Sequence, residues 1–171
     1  MNKRDHIQGP VEAAVELVEY GDYECPQCQA AHPVVKLIQA EFGDDLCFAY
    51  RHFPLLDIHP LAMPAAEAAE AAGAQGRFWQ MHELLFQNSP DLDPANLIEI
   101  ASGLGLDIER FDEDLVKQHH VRRIRDDIES GKMSGAHGTP TFFINGMKYE
   151  GGFDWESLLP ALQAVDRLMA R

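Results

Sequence analysis

Two cysteines separated by two residues, Cys25 and Cys28, stand between a mainly apolar run and a segment with a helical pattern. The run predicts a strand over residues 14–20, and apolar residues at three-to-four spacing predict a helix over residues 26–41. Cys25 is therefore expected at a helix N-terminus, where unpaired backbone N–H groups favour a negative charge. The thiolate carries such a charge and is the nucleophilic form of cysteine, so the spacing predicts a reactive thiol.

The residues around this pair favour redox chemistry over metal binding. Pro26 is expected in the first helical turn, where its missing N–H costs nothing. Metal knuckles use the same cysteine spacing, but they usually need a second ligand pair, and no second C-x-x-C or H-x-x-x-H occurs in the sequence. Three cysteines are too few for a structural disulfide framework. Cys47, within an apolar strand, is interpreted as a small buried hydrophobe.

The length and net charge of the chain limit the classes of protein to which it can belong. The 171 residues suggest one domain with an elaboration, and a net charge of −14 argues against nucleic acid or an anionic membrane as partner. No apolar run is long enough to span a bilayer, and no signal peptide is visible at the polar N-terminus. The expectation is a cytoplasmic protein, although a periplasmic domain whose signal peptide had been removed would look the same.

The order of elements predicts a mixed α/β architecture. A second strand is expected over residues 46–53, inside the sheet and parallel to the first because a helix connects them. From about residue 59 to 130 the pattern is helical, so we expect a helical insertion at 59–131 between the halves 1–58 and 132–171 of one domain. A strand at 141–144, an Asn-Gly turn and a short return strand then predict an antiparallel edge hairpin before a last helix.

Within the helical block the boundaries depend on capping residues. Asp93 and Pro94 predict the start of one helix, and Asp107 is expected to cap a short turn. A further helix is then expected to carry an apolar stripe and to stop at Ser130-Gly131. The stripe residues are Val116, Val121, Ile124 and Ile128, and the inward-facing residues of the last helix are Leu158, Leu162, Val165 and Leu168.

Glu19 lies six positions before Cys25, near the end of the first strand. It is either a solvent-facing strand residue or a partly buried acid that exchanges a proton with the cysteine pair through water. His32, one turn beyond Cys28, is interpreted as a packing or surface residue rather than a proton relay. The histidines of the helical block lack ligand-like spacing and are given the same interpretation; they are His82, His119 and His120.

From Val15 to the final helix the chain resembles the thioredoxin superfamily, and specifically its DsbA-like branch with an inserted helical domain. Three features carry the resemblance: the Cys-Pro-Gln-Cys motif at 25–28, the Gly-Thr-Pro-Thr-Phe segment at 138–142, and the position of Glu19. The expected fold is therefore a thioredoxin fold: a mixed central sheet with an antiparallel edge hairpin and an all-helical insertion.

The resemblance also implies roles for the site residues. Cys25 would be the nucleophile, Cys28 the resolving cysteine and Glu19 the proton carrier. Substrate would be bound at Pro26, Gln27, Thr139 and Pro140, with Pro140 in a cis-proline loop; an ordinary trans proline at the start of a strand is the alternative. Gln27 stands where the strongly oxidising DsbA proteins have histidine, so we expect a less oxidising pair.

The implied activity is thiol–disulfide exchange with protein or peptide thiols and disulfides, with glutathione or a thioredoxin-type protein as redox partner. This chemistry requires no metal, nucleotide or flavin. Three alternatives stay open: a kappa-type glutathione transferase or isomerase, which lacks the second cysteine; a metal-binding module; and a thioredoxin-fold interaction domain without catalysis. The direction, as oxidase, reductase or isomerase, is not fixed by the motif.

Overall fold

A five-stranded mixed sheet forms the centre of the computed structural model, which describes residues 1–169. The strand order is β1-β3-β2-β4-β5; β2 and β3 are parallel, and every other pair is antiparallel. The strands are β1 (His6–Gln8), β2 (Val15–Gly21), β3 (Leu46–His52), β4 (Thr141–Ile144) and β5 (Met147–Lys148).

Within residues 1–169, seven α-helices surround this sheet, and five of them lie in sequence between β3 and β4. Alternate strand residues face opposite sides, as the period of two requires. Leu17 and Phe48 belong to the larger apolar core, whereas Val18 and Ala49 belong to a smaller core on the other face. The helices are α1 (Pro26–Phe42), α2 (Ala62–Gly73), α3 (Phe78–Asn88), α4 (Pro94–Gly103), α5 (Ile108–Val116), α6 (Val121–Met133) and α7 (Trp155–Met169).

The fold class expected from the sequence is confirmed. The β2–α1–β3 crossover is parallel, and β4 and β5 form the antiparallel edge hairpin. Asn145 and Gly146 have φ values of 46° and 78°, the left-handed conformations that a tight two-residue hairpin turn requires. Strand β1, which pairs antiparallel with β3, was not predicted.

Several helix assignments from the sequence were wrong. Asp107 caps α5, a helix of nine residues rather than a short turn, by accepting a hydrogen bond from the Arg110 N–H. Val116 is the last residue of α5 and is 74% exposed, so it does not begin the apolar stripe of α6. The break between these helices includes Gln118, with a φ of 54°. Leu168 of α7 is 68% exposed rather than facing inward.

One buried carboxylate joins the helical block to the sheet. Glu70 Oε1 on α2 accepts hydrogen bonds from His6 Nε2 (2.9 Å), His52 Nε2 (2.9 Å) and Arg123 Nε (2.7 Å). Burial alone would raise the pKa of Glu70, but the hydrogen bonds from His52 and His6 hold it well below its usual value. Elements β1, β3, α2 and α6 therefore meet at one oxygen atom.

The proposed division into 1–58 with 132–171 and an insertion at 59–131 stays a prediction, and its last two residues lie outside the described part of the chain. The larger apolar core contains residues of the sheet and of α1 together with residues of helices α2 to α5. Among residues 1–169, no helix is both long and apolar enough to cross a membrane.

Candidate active site

The C-x-x-C pair lies at the start of α1, just beyond the end of β2. Cys25 is the N-cap residue, with extended backbone angles, and Pro26 occupies the first helical turn. The Cys25 carbonyl accepts the Gln29 N–H at 3.0 Å, the first bond of the helix. Both cysteines are free thiols; Cys25 is 5% exposed and Cys28 is fully buried. This arrangement leaves Cys25 as the sulfur nearer to the surface.

Asp22 shapes the turn that presents Cys25. Its backbone carbonyl accepts the Cys25 N–H at 3.2 Å, and its Oδ1 accepts the Glu24 N–H at 2.8 Å. Its other oxygen, Oδ2, accepts the Leu55 N–H at 2.9 Å and bonds to His59 Nδ1 at 2.7 Å. One buried carboxylate thus ties the cysteine turn to the segment that leads into α2.

The surroundings of Cys25 stabilise its thiolate. A hydrogen bond from the Cys28 thiol is the largest effect, and it outweighs the opposing effect of burial; bonds from Thr139 and from the backbone N–H groups of Cys28 and Gln27 add to it. Together they lower the pKa of Cys25 to about 5 from an ordinary value of 9.0. Cys25 is therefore a thiolate at neutral pH, the reactive form expected for a cysteine that begins a helix.

The segment before β4 lies directly against Cys25. The Cys25 thiol donates a hydrogen bond to the Thr139 carbonyl oxygen at 3.5 Å, and the Thr139–Pro140 peptide bond is cis. Thr139 is buried, and its hydroxyl has no hydrogen-bond partner among residues 1–169, so it is free to donate to the Cys25 sulfur when that sulfur is a thiolate. Thr139 thus offers a carbonyl to the thiol and a hydroxyl to the thiolate, since only the hydroxyl can donate to a negative sulfur.

Glu19 is buried on β2, close enough to the cysteine pair for their charges to interact. It is 2% exposed, and its Oε1 has no hydrogen-bond partner within the described residues 1–169. Burial, followed by the negative charge of Cys25, raises the pKa of Glu19 to about 8. Burial is also the main cause that raises the pKa of Cys28, with contributions from Cys25 and Glu19. The solvent-facing interpretation of Glu19 is therefore wrong.

An aromatic cluster beside Glu19 was missed by sequence reasoning. Tyr50 of β3 lies opposite Glu19 in the parallel register, and its buried hydroxyl has no hydrogen-bond partner in the part of the chain that the structure describes. Tyr23 bonds through its hydroxyl to His82 Nδ1 at 2.9 Å, and its ring lies 5.3 Å from that of Tyr50. Nothing in the local sequence indicates these contacts, because they bring the turn after β2, strand β3 and helix α3 together.

The remaining candidates are placed as follows. Pro26 and Gln27 are exposed beside Cys25. His32 bonds to Glu83 at 3.0 Å and stacks on Phe86. The side chain of Cys47 is buried, opposite Glu16 at the far end of the paired strands. Among residues 1–169, no three His, Cys, Asp or Glu side chains are grouped so as to hold a metal ion.

Comparison with curated proteins finds longer relatives in which one segment is similar to this chain. The chain is 46% identical over 162 residues to a protein named Na(+)/H(+) antiporter NhaA 1 of Salinispora arenicola, covering 95% of this chain and 25% of that protein. It is 44% identical over 165 residues to the protein of the same name from Mycobacterium sp. (strain KMS), covering 95% and 27%. The chain thus spans about a quarter of the length of these relatives.

Solved structures match along almost the whole chain. A thioredoxin-like oxidoreductase from Silicibacter pomeroyi superposes with a TM-score of 0.84 at 26% identity, covering 99% of this chain and 95% of that chain. Oxidised BdbD from Bacillus subtilis has a TM-score of 0.85 at 24% identity, covering 95% of this chain and 93% of that chain. Alpha-DsbA1 from Wolbachia pipientis has a TM-score of 0.82 at 22% identity, covering 99% of this chain and 93% of that chain. The fold is thus that of DsbA-type proteins.

A family model described as "Thioredoxin" matches residues 1–164. This match covers the sheet, the C-x-x-C pair, the helical block and most of α7. The chain therefore belongs to the thioredoxin family.

Proposed function

We propose that this protein is a thiol–disulfide oxidoreductase that exchanges disulfides with protein or peptide substrates through Cys25 and Cys28. The observation that carries the proposal is the asymmetry of the pair. The pKa of Cys25 is lowered to about 5, whereas burial raises that of Cys28. One sulfur is therefore ready to attack or to leave at neutral pH, and the other is held back as a thiol.

In the reducing direction, the Cys25 thiolate attacks one sulfur of a substrate disulfide. A Cys25–substrate disulfide forms, the substrate disulfide breaks, and its other sulfur leaves as a thiolate. Cys28 then loses its proton and attacks Cys25 Sγ, which releases the second substrate sulfur. The products are a Cys25–Cys28 disulfide and two substrate thiols, so two electrons pass from the protein to the substrate. The oxidising direction reverses each step.

Glu19 is the proposed acceptor of the Cys28 proton. The negative charge of Cys25 contributes to the raised pKa of Glu19, and the mixed disulfide removes that charge. The pKa of Glu19 then falls, because only burial still raises it. Its carboxylate form becomes more populated at the step that needs a base, so attack by Cys25 prepares the deprotonation of Cys28.

The backbone of Thr139 is the proposed docking point for an extended substrate. Its carbonyl oxygen lies 3.5 Å from Cys25 Sγ, so a strand bound there would hold its own sulfur against Cys25. A cavity of about 560 Å³ opens beside the same loop, between the segment after β3 and helix α6. It is lined mainly by apolar groups, among them Phe53, Leu55 and Ile128. These features favour a polypeptide substrate, which would also contact the exposed Pro26 and Gln27 beside Cys25.

The experiment is the reduction of insulin by dithiothreitol, with wild type, Cys25→Ser and Cys28→Ser. We expect wild type to accelerate the reaction, Cys25→Ser to be inactive, and Cys28→Ser to accumulate a mixed disulfide at Cys25. Activity that survives Cys25→Ser would overturn the mechanism. Binding of thiol-containing peptides without turnover would indicate a non-catalytic interaction domain. Glutathione conjugation by the Cys28→Ser variant would indicate a kappa-type transferase.

The direction depends on the compartment and on the redox partner. In a cytoplasm that keeps thiols reduced, the pair would act as a reductant recharged by glutathione or a thioredoxin-type protein, whereas an exported domain would oxidise its substrates. The antiporter name of the curated relatives belongs to proteins about four times as long as the matched segment. We therefore do not propose ion transport for this chain.

A further inference from the structure

A second cavity lies within the helical block, among α2, α4 and α5. Its volume is about 280 Å³, at the small end for a ligand site, and most of its lining is apolar. Leu97 and Ile98 of α4 and Leu115 of α5 form much of the wall. None of the cysteines or the residues of the Thr139 loop lines it, so it is separate from the site proposed for disulfide exchange.

Glu67 is one of the residues that line this cavity, and its carboxyl group has no partner among residues 1–169. Glu67 is 5% exposed; it makes no hydrogen bond or ion pair within residues 1–169, and its Oε2 is fully buried. Glu70, one turn further along the same helix, receives three hydrogen bonds. A buried carboxyl without a partner is costly, because it has given up water and gained nothing in return. Burial accordingly raises the pKa of Glu67 to about 7.

The charges around the cavity define what it attracts. Asp112 is the other titratable residue in the lining, and no lysine or arginine is among the lining residues. Two acidic residues in a mainly apolar lining repel anions and attract a cation. The apolar wall in turn favours a ligand with a hydrocarbon body, since that body removes apolar surface from water.

We propose that this cavity binds an alkylammonium group, a single positive charge on a compact apolar stem, with Glu67 as the residue that receives the charge. The ammonium group donates to the Glu67 carboxylate, while the stem packs on Leu97, Ile98 and Leu115. The same chemistry is found in a small free amine and in a lysine side chain. The small size of the cavity fits the free amine, and a peptide-borne lysine is the second source to be tested.

The experiment is a titration of the intact protein with hexylammonium, followed by ¹⁵N chemical shifts and by the ¹³C shift of the Glu67 carboxyl group. Above the pKa of about 7 for Glu67, we expect saturable binding with shifts confined to α2, α4 and α5. Hexanol, with the same stem and no charge, should bind at least about tenfold more weakly, or about 1.4 kcal/mol. Hexylammonium should also lower the pKa of Glu67, because binding favours its charged form.

Glu67→Gln keeps the shape of the side chain and removes its charge, and we expect at least about a tenfold loss of hexylammonium affinity. Glu99→Gln, an exposed change on α4 outside the cavity, should bind as wild type does. N-acetyl-lysine methylamide tests the peptide-borne source in parallel. Equal binding of hexanol and hexylammonium to wild type, an unchanged Glu67 pKa, or full affinity in Glu67→Gln would overturn the proposal. The first two outcomes do not depend on the folding of any variant.

Discussion

The Sγ atom of Cys25 and the carbonyl oxygen of Thr139 lie 3.5 Å apart, although 114 residues separate them in sequence. The hydroxyl of the same threonine is buried and contributes to the low pKa of Cys25. The loop before β4 therefore acts on the reactive sulfur through two groups of one residue. Substitutions can separate them, since the carbonyl belongs to the backbone and the hydroxyl does not.

Thr139→Val should raise the pKa of Cys25 by about one to two units, since a hydrogen bond to a charged group is worth about 1.5–3 kcal/mol. Thiolate absorbance in the ultraviolet measures this, and the other two thiols do not interfere because burial raises the pKa values of both Cys28 and Cys47. Thr141→Val is the matched control, since its hydroxyl bonds to Gly138 instead. Equal titration curves for Thr139→Val and wild type would show that the Thr139 hydroxyl does not stabilise the Cys25 thiolate.

Glu19→Gln should slow the resolving step and leave the attack by Cys25 nearly unchanged. The amide cannot accept the Cys28 proton, and a positioned general base contributes about 10²–10⁴-fold. Rapid-quench trapping of the mixed disulfide separates the two steps: the variant should form it at the wild-type rate and release it slowly. A slower attack with a normal release would instead indicate that Glu19 acts on Cys25.

The same variant should change how folding stability depends on pH. The pKa of Glu19 is 4.5 in the unfolded reference and about 8 in the folded protein, so its folded form favours the neutral acid. That contribution is complete below pH 4.5 and is lost as the pH rises to about 8. Relative to wild type, Glu19→Gln should gain stability across this window, by at most about 5 kcal/mol at about 1.4 kcal/mol per pKa unit. Urea unfolding of the reduced proteins on both sides of the window measures the difference.

Gln27→His should make the pair more oxidising. Gln27 is exposed next to Cys25, and its backbone N–H already contributes to the low thiol pKa. An imidazolium added there would stabilise the thiolate, and with it the reduced form, raising the potential by about 30 mV for each tenfold change in the equilibrium constant. Equilibration with glutathione measures this, with wild type expected between about −270 mV and −120 mV. Ala30→His, also exposed on α1, is the control and should leave the potential unchanged.

Asp22→Ala should destabilise the reduced protein by about 2–4 kcal/mol, because it leaves three partly buried donors without the buried carboxylate that they share. The donors are the Glu24 and Leu55 N–H groups and the His59 ring. Urea unfolding gives the loss, and the exposed Asp44→Ala provides a control with the same change in charge. A loss below about 1 kcal/mol would mean that water replaces the carboxylate.

Much of the scaffold could be predicted because its signals are local. The apolar run of β2, the spacing along α1 and the Asn145-Gly146 turn each depend on neighbouring residues. Strand β1 has only three residues and a single apolar one, too few to show alternation. Its position comes from pairing with β3, which no local pattern reports.

The errors within the helical block also have a physical cause. Val116 continues an apolar spacing, yet it ends α5 at the surface, and the chain turns at Gln118 without glycine or proline. In the site, the positions of Cys25 and Cys28 followed from the helix start. The contacts of Tyr50 with Tyr23, and of Tyr23 with His82, depend on how three elements pack, so residue spacing carries no sign of them.

The meeting of three donors at Glu70 bears on whether the helical block can be moved as a unit. A graft of residues 59–131 onto another sheet would carry Glu70 and Arg123 but leave the imidazoles of His6 and His52 behind. In the graft, the buried Glu70 carboxylate would then have one hydrogen-bond donor, Arg123, where it now has three. Any exchange of parts between proteins of this architecture must therefore transfer both histidines with the block, or replace the acid.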